Sequence, residues 1–151
     1  MARLPRIYLD GAAYLVTSRG GLREPLFKDQ QDFETYLRLV AEYQQRYGFK
    51  LFAYCLLPDQ VFLCLEAAAG TTLSAIMHDV TTRYTKTINK RYGRSGHLFQ
   101  ERFQAVMVEK STSLLPLTAY LHAQPARVGL TNEIAAYSFS SYARYLGTGA
   151  P

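Results

Sequence analysis

Tryptophan is absent, and only two cysteines and three histidines occur among the 151 residues. So little cysteine excludes a disulfide-stapled secreted scaffold. Cys55 and Cys64 lie in the apolar runs Ala53-Tyr54-Cys55-Leu56-Leu57 and Phe62-Leu63-Cys64-Leu65, with no second cysteine at C-x-x-C spacing and no histidine beside them. They therefore read as buried thiols in a reducing compartment rather than as zinc or redox ligands. No apolar run approaches the roughly 18 residues that would span a bilayer. The opening Met1-Ala2-Arg3-Leu4-Pro5-Arg6 has no apolar stretch of the signal-peptide type. The expectation is a cytoplasmic, nucleoid-associated protein with no membrane partner and no small-molecule substrate.

What is present is a hydrophobic content of 48% and an excess of base, with 17 Lys and Arg against 12 Asp and Glu and a formal charge of +5. That content can bury a real core, so one domain is expected over residues 1–151. The charge favours a polyanionic partner.

Periodicity along the chain gives an alternation of elements. Ala13 to Ser18 is β-branched and aromatic and stops at Arg19-Gly20-Gly21, a strand entering a loop. Phe33, Tyr36, Leu37, Val40, Tyr43 and Tyr47 repeat at helical spacing from Asp29, with Gly48 as the stop. Phe49–Leu57 and the run from Gln60 through Glu66 form a hairpin across Pro58-Asp59. Thr71 or Thr72 caps a second helix carrying Leu73, Ile76, Met77, Val80, Tyr84 and Ile88, ended by Gly93 and Gly96. Phe103–Val108 alternates as a strand, Ser111 opens a third helix with Leu114, Leu117 and Leu121, and Pro125 stops it. The order βαββαβ predicts an α+β ferredoxin-like sandwich with an added C-terminal helix. Tyr137–Tyr142 reads as a wrapping segment and Gly147–Pro151 as a loose tail.

Three features bear on chemistry. Arg83, Lys86, Lys90 and Arg94 recur at helical spacing on the second helix with Arg91 beside them, and no acidic residue lies between Asp79 and Arg94. The plain alternative is a solvated face, but such faces mix both signs, which favours phosphate contact. Tyr120 and Gln124, four apart, share one face of the third helix. Tyrosine alone is as well explained as an interface aromatic. The strand opening Asp59-Gln60 is the third feature. His78 reads as a solvated or satisfied histidine, and neither His97 nor His122 falls on the Tyr120 face.

Four ordered blocks tie these features together: Gly11–Gly20, Tyr54-Cys55-Leu56-Leu57-Pro58, Gly96-His97-Leu98-Phe99-Gln100-Glu101-Arg102-Phe103, and Tyr120 to Leu130. Together they resemble the REP-associated tyrosine transposases over about Arg3 to Leu146. The resemblance implies a dimer that cuts single-stranded DNA beside hairpins through a covalent phosphotyrosine, with Tyr120 as the nucleophile. A phenol with a pKa near 10 needs a divalent metal to polarise the phosphate. The family holds that metal with a His-hydrophobe-His pair on the strand after the Pro turn. Here the pair is Gln60 and Phe62, a weak neutral ligand and a ring that cannot ligate. Gln124 matches the family's third ligand position.

The expectation is therefore a transposase-derived protein recognising single-stranded or hairpin DNA, catalytically impaired because both metal histidines are replaced, with no cofactor. Arg19, Arg83, Lys86, Lys90, Arg91, Arg94, Arg102 and Arg127 are the expected DNA contacts. The alternative is a residual transposase using Tyr120 with Gln60, Gln124 and Asp59 around Mg²⁺ or Mn²⁺. Glu66, roughly 20 Å along an extended strand from Gln60, cannot close that cage. A dimeric protein scaffold that has left DNA behind is a third reading, which the basic stripe opposes.

Overall fold

The computed structural model describes residues 12–21, 25–100 and 102–142. In chain order the elements are β1 (Ala13–Arg19), α1 (Gln30–Tyr47), β2 (Lys50–Leu57), β3 (Gln60–Glu66), α2 (Leu73–Tyr92), β4 (Gln104–Val108), α3 (Leu114–His122) and α4 (Gln124–Arg127). The strands form one antiparallel sheet in the order β2-β3-β1-β4. The two crossovers, through α1 and α2, each skip one strand, which gives the ferredoxin-like arrangement that the periodicity predicts. No helix among the described residues is long and apolar enough to cross a membrane. The expected tail at Gly147–Pro151 lies outside the described residues, as do Arg3, Gly11, Glu101 and Leu146 of the family resemblance.

The sheet buries a different set of residues on each side. Val16 of β1 and Val61, Leu63 and Leu65 of β3 pack with Tyr36, Leu39, Val40, Ile76, Val80 and Tyr84 of α1 and α2. The alternate residues Phe62 and Cys64 join Ala53, Cys55, Leu57 and Leu121 in a second, smaller cluster, with Leu15, Leu114, Leu117 and Tyr137 around it. This is the period of two at work: one register sets which residues meet α1 and α2 and which meet α3. Burial pushes the Cys55 thiol up to about 12 and Cys64 up to about 11, so both behave as the apolar fillers the sequence predicts.

The helix ends follow local chemistry. The Asp29 side chain accepts from the Asp32 amide, and Gly48 closes α1 with φ 71°, a conformation that costs glycine nothing. Thr72 rather than Thr71 caps α2, accepting from the Ala75 amide at 3.0 Å, while the Thr71 hydroxyl donates to the Ala68 carbonyl. The third helix departs from expectation. It begins at Leu114, not Ser111, whose hydroxyl donates to Glu109 instead. Pro116 explains the shift: it lacks an N–H and is tolerated only in a first turn, so the helix starts just before it. Pro125 does end α3, but it also sits in the first turn of α4.

The wrapping segment adds to the β2 edge. The Leu56 amide donates to the Phe139 carbonyl at 2.8 Å, the Ser141 amide to the Tyr54 carbonyl at 3.0 Å, and the Tyr137 hydroxyl to the Leu56 carbonyl at 2.5 Å. Backbone groups that an edge strand would leave exposed are thereby satisfied.

Candidate nucleic-acid interface and tyrosine site

Register places the expected site on the α3 face of the sheet. Arg19 pairs with Gln60 and Thr17 with Phe62, and Gln60 and Phe62 also oppose Leu57 and Cys55. Residues paired across an antiparallel ladder share a face, so Arg19, Thr17, Gln60 and Phe62 look the same way. Leu121, the neighbour of Tyr120, packs into the cluster that contains Phe62. The sequence therefore brings the tyrosine helix against the strand that carries the two replaced positions.

The donor set there does not fit a divalent cation. Phe62 is 5% exposed, and its ring fills the apolar cluster under α3. Gln60 offers one neutral amide oxygen, and Asp59 is exposed in the turn. Gln124, expected on the helix of Tyr120, instead opens α4; it is buried, and its Nε2 donates to the Tyr120 carbonyl at 3.2 Å, which ties the amide back to α3. Glu66 accepts from Lys110 at 2.6 Å and lies 4.0 Å from Lys50 at the far end of β3. No group of three or more His, Cys, Asp or Glu residues able to hold a metal ion occurs among the described residues.

Tyr120 itself is open, 45% exposed, with the Arg127 guanidinium 5.6 Å from its ring centroid. Seven residues separate the two, so the helical face continues across the break at Ala123, a spacing visible in the sequence. His122 lies off the Tyr120 face, as expected, and points inward. It is 2% exposed, its Nε2 lies 2.7 Å from the Ser141 hydroxyl, and its ring packs on Tyr142. Burial holds the imidazole below its ordinary pKa.

Arg19 and Gln60 line a cavity of about 580 Å³ at the strand ends, with Pro58, Asp59, Gln100 and Leu130. A smaller polar cleft, about 140 Å³, is lined by Thr17, Arg19, Gln100, Arg102 and Gln104. The two glutamines escaped the sequence reading. The parity that pairs Gln104 with Thr17 was the available signal for one of them.

The basic helix lies on the other side of the sheet and divides into two groups. Arg83 contacts Glu42 and the Tyr43 hydroxyl, each at 3.3 Å. Arg91 makes two bonds to Asp29, at 2.9 and 2.8 Å, and one to Asp32. The Tyr92 hydroxyl also donates to Asp32 at 2.7 Å, and burial with this carboxylate pushes the phenol up to about 12. These two arginines thus fasten α2 to α1. Lys86 and Lys90 are exposed, Arg94 is half-buried past the helix end, and Arg102 is exposed at the sheet edge. The eight cations do not form one surface.

A ferredoxin-like sheet carrying an exposed tyrosine on a short helix over one face defines a class, the single-tyrosine transposase fold. Among solved structures, the chain is similar to a REP-associated tyrosine transposase bound to a REP hairpin, with TM-score 0.83, 16% identity and coverage of 100% of this chain and 89% of that one. It is also similar to a candidate transposase from Deinococcus radiodurans R1, with TM-score 0.54, 16% identity and coverage of 82% and 98%. No curated protein sequence matches it. The family model of IS200-like transposases matches residues 12–124, and the chain belongs to that family.

Proposed function

We propose that this IS200-like family member is a DNA-binding protein that engages single-stranded or hairpin DNA as a homodimer in the cytoplasm, acts as a single unit over its whole length, and has an impaired tyrosine site. The observation that carries the impairment is Phe62, buried where the family places a ligand. Without a cation, the developing charge of a phosphotyrosine transfer has no electrophilic partner at this face, and the Tyr120 phenol stays a poor nucleophile. DNA as partner is supported by the family, by the solved relative bound to a REP hairpin, and by the basic residues of both faces. Of these, Lys86, Lys90, Arg19, Arg102 and Arg127 are the better contacts, because Arg83 and Arg91 are already committed to α1 carboxylates.

A second reading, residual strand transfer through Mg²⁺ or Mn²⁺, is favoured by one observation: Tyr120 is exposed and has Arg127 over its ring. Purified protein incubated with labelled hairpin DNA and Mg²⁺, Mn²⁺ or EDTA separates the two. The expected result is a mobility shift without a denaturant-resistant adduct. A metal-dependent adduct lost in Tyr120→Phe would establish the second reading. The double variant Lys86→Ala, Lys90→Ala should lower the salt slope of single-strand binding by about 1.4. An unchanged slope would remove α2 from the interface.

A further inference from the structure

A cavity of about 290 Å³ lies between α2 and the segment leading into β4, on the side of the sheet away from Tyr120. Met77 and the rings of Phe99 and Phe103 give it an apolar lining. Ser18, Ser74, Thr81 and Thr82 supply hydroxyls, with His78 and Arg102 completing the lining. No carboxylate is among these residues. The wall is built into the fold: the Gln100 amide donates to the Arg19 carbonyl at 2.9 Å, Phe99 bridges to Gly20, and Phe99 packs edge-on against Tyr84. Ser18 is 4% exposed yet lines the cavity.

Aromatic walls, a set of neutral hydrogen-bonding groups and one cation select a flat heteroaromatic ring that carries hydrogen-bonding edges and an attached anion. We propose that this cavity holds a single unpaired nucleotide, its base among Phe99, Phe103 and the hydroxyls and its phosphate on Arg102. The inference rests on the DNA-binding reading and deepens it. Its second support is that Arg102 also lines the polar cleft with Arg19, Gln100 and Gln104. Ser18 and Arg19 are consecutive residues of β1 and project to opposite faces. The two recesses thus meet at the β4 edge, and Arg102 is common to both. A strand whose phosphates follow Arg19 and Arg102 would deliver its next base to the cavity, on the side opposite the tyrosine. Duplex DNA, whose bases are stacked and paired, could not place one there.

The shared chemistry is a nucleotide, which could be free or part of a strand, and the experiment separates these sources. Full-length protein is titrated into a single strand bearing one 2-aminopurine, into the same strand paired as a duplex, and into free 2-aminopurine deoxynucleoside monophosphate. Two variants report on the cavity: Thr81→Leu, which narrows it and removes a hydroxyl, and Arg102→Gln. Circular dichroism verifies that each is folded. The expected result is a fluorescence change with the single strand only, and at least about a tenfold loss of single-strand affinity in each variant. Lys86→Ala with Lys90→Ala should weaken every nucleic acid while leaving the saturated fluorescence change intact. Single-strand binding with parental affinity and signal in both cavity variants would overturn this inference and leave the DNA-binding reading standing. Binding of the free nucleotide alone, lost in both variants, would keep the site and overturn the DNA-binding reading. Binding of neither would overturn both.

Discussion

The two faces of the sheet are held together by different means. On one, α1 and α2 enclose a large aromatic core and are locked at both ends by polar ties, Arg91 with Asp29 and Asp32 at one end and Tyr47 with Asp79 at the other. On the other, a nine-residue helix without a side-chain cap covers a cluster of six buried residues centred on Phe62. The first face is a scaffold in which part of the charge ties one helix to the other, while Lys86 and Lys90 stay exposed. The second carries the exposed tyrosine and the cavity at the strand ends. Basic residues on a helix are therefore not equivalent to a basic surface: two of the five on or just after α2 are structural.

The largest expected effect tests that difference on the scaffold side. Asp32 is 1% exposed and accepts from Arg91, from the Tyr92 hydroxyl and from the Lys28 amide at 2.9 Å. Asp32→Asn leaves Arg91 without its buried partner and should cost about 3 kcal/mol in urea unfolding. DNA affinity of the folded variant should stay within about twofold, because sites that share no partners couple weakly. A loss below about 0.5 kcal/mol would mean that Asp29 alone holds Arg91 and that the tie is a surface pair.

The next effect probes the α3 face. Restoring imidazoles with Gln60→His and Phe62→His exchanges a buried ring for polar groups and should cost about 2 kcal/mol without metal. Both positions share a face two residues apart, so the pair should bind Mn²⁺ or Co²⁺ and recover stability in proportion to the logarithm of metal concentration. Thermal unfolding with and without metal reads both. Absence of any metal-dependent shift would mean that Gln124, held on the Tyr120 carbonyl, and the Phe62 cluster leave no room for a cation even when ligands are supplied.

How much of this was legible depends on sequence distance. The βαββαβ order followed from hydrophobic period, and the face of Gln60 and Phe62 from strand parity alone. The caps at Asp29, Thr72, Gly48 and Gly93 are local signals. Arg83 and Arg91 were not readable as ties, because their partners lie 41 and about 60 residues away and meet them only when α1 and α2 pack antiparallel. The expected start of α3 at Ser111 failed for a local reason that was available, Pro116 in the first turn. The cavity under Phe99 and Phe103 joins β1, α2 and the segment before β4, and no spacing within any one of them announces it.

The smallest effect concerns the helix that bears the tyrosine. His122 is linked through the Ser141 hydroxyl to the backbone of Tyr54, whose amide donates to that oxygen at 2.9 Å. Burial depresses the pKa of His122, so the unfolded chain takes up a proton at a higher pH than the folded one. This contribution to stability is complete above the unfolded value near 6.5 and is lost as pH falls through the folded value. Wild-type protein should therefore lose stability on going from pH 7.5 to 5.5 through this group. His122→Gln, which keeps a donor toward Ser141 but cannot titrate, should lose less over the same interval. If both proteins show the same pH dependence in urea unfolding, protonation is accommodated by Ser141 and Tyr142 and α3 is not the acid-sensitive part of the fold. If the variant is flatter, the weakly capped helix over Phe62 is the element that loosens first, and the contrast between the two faces extends from packing to proton uptake.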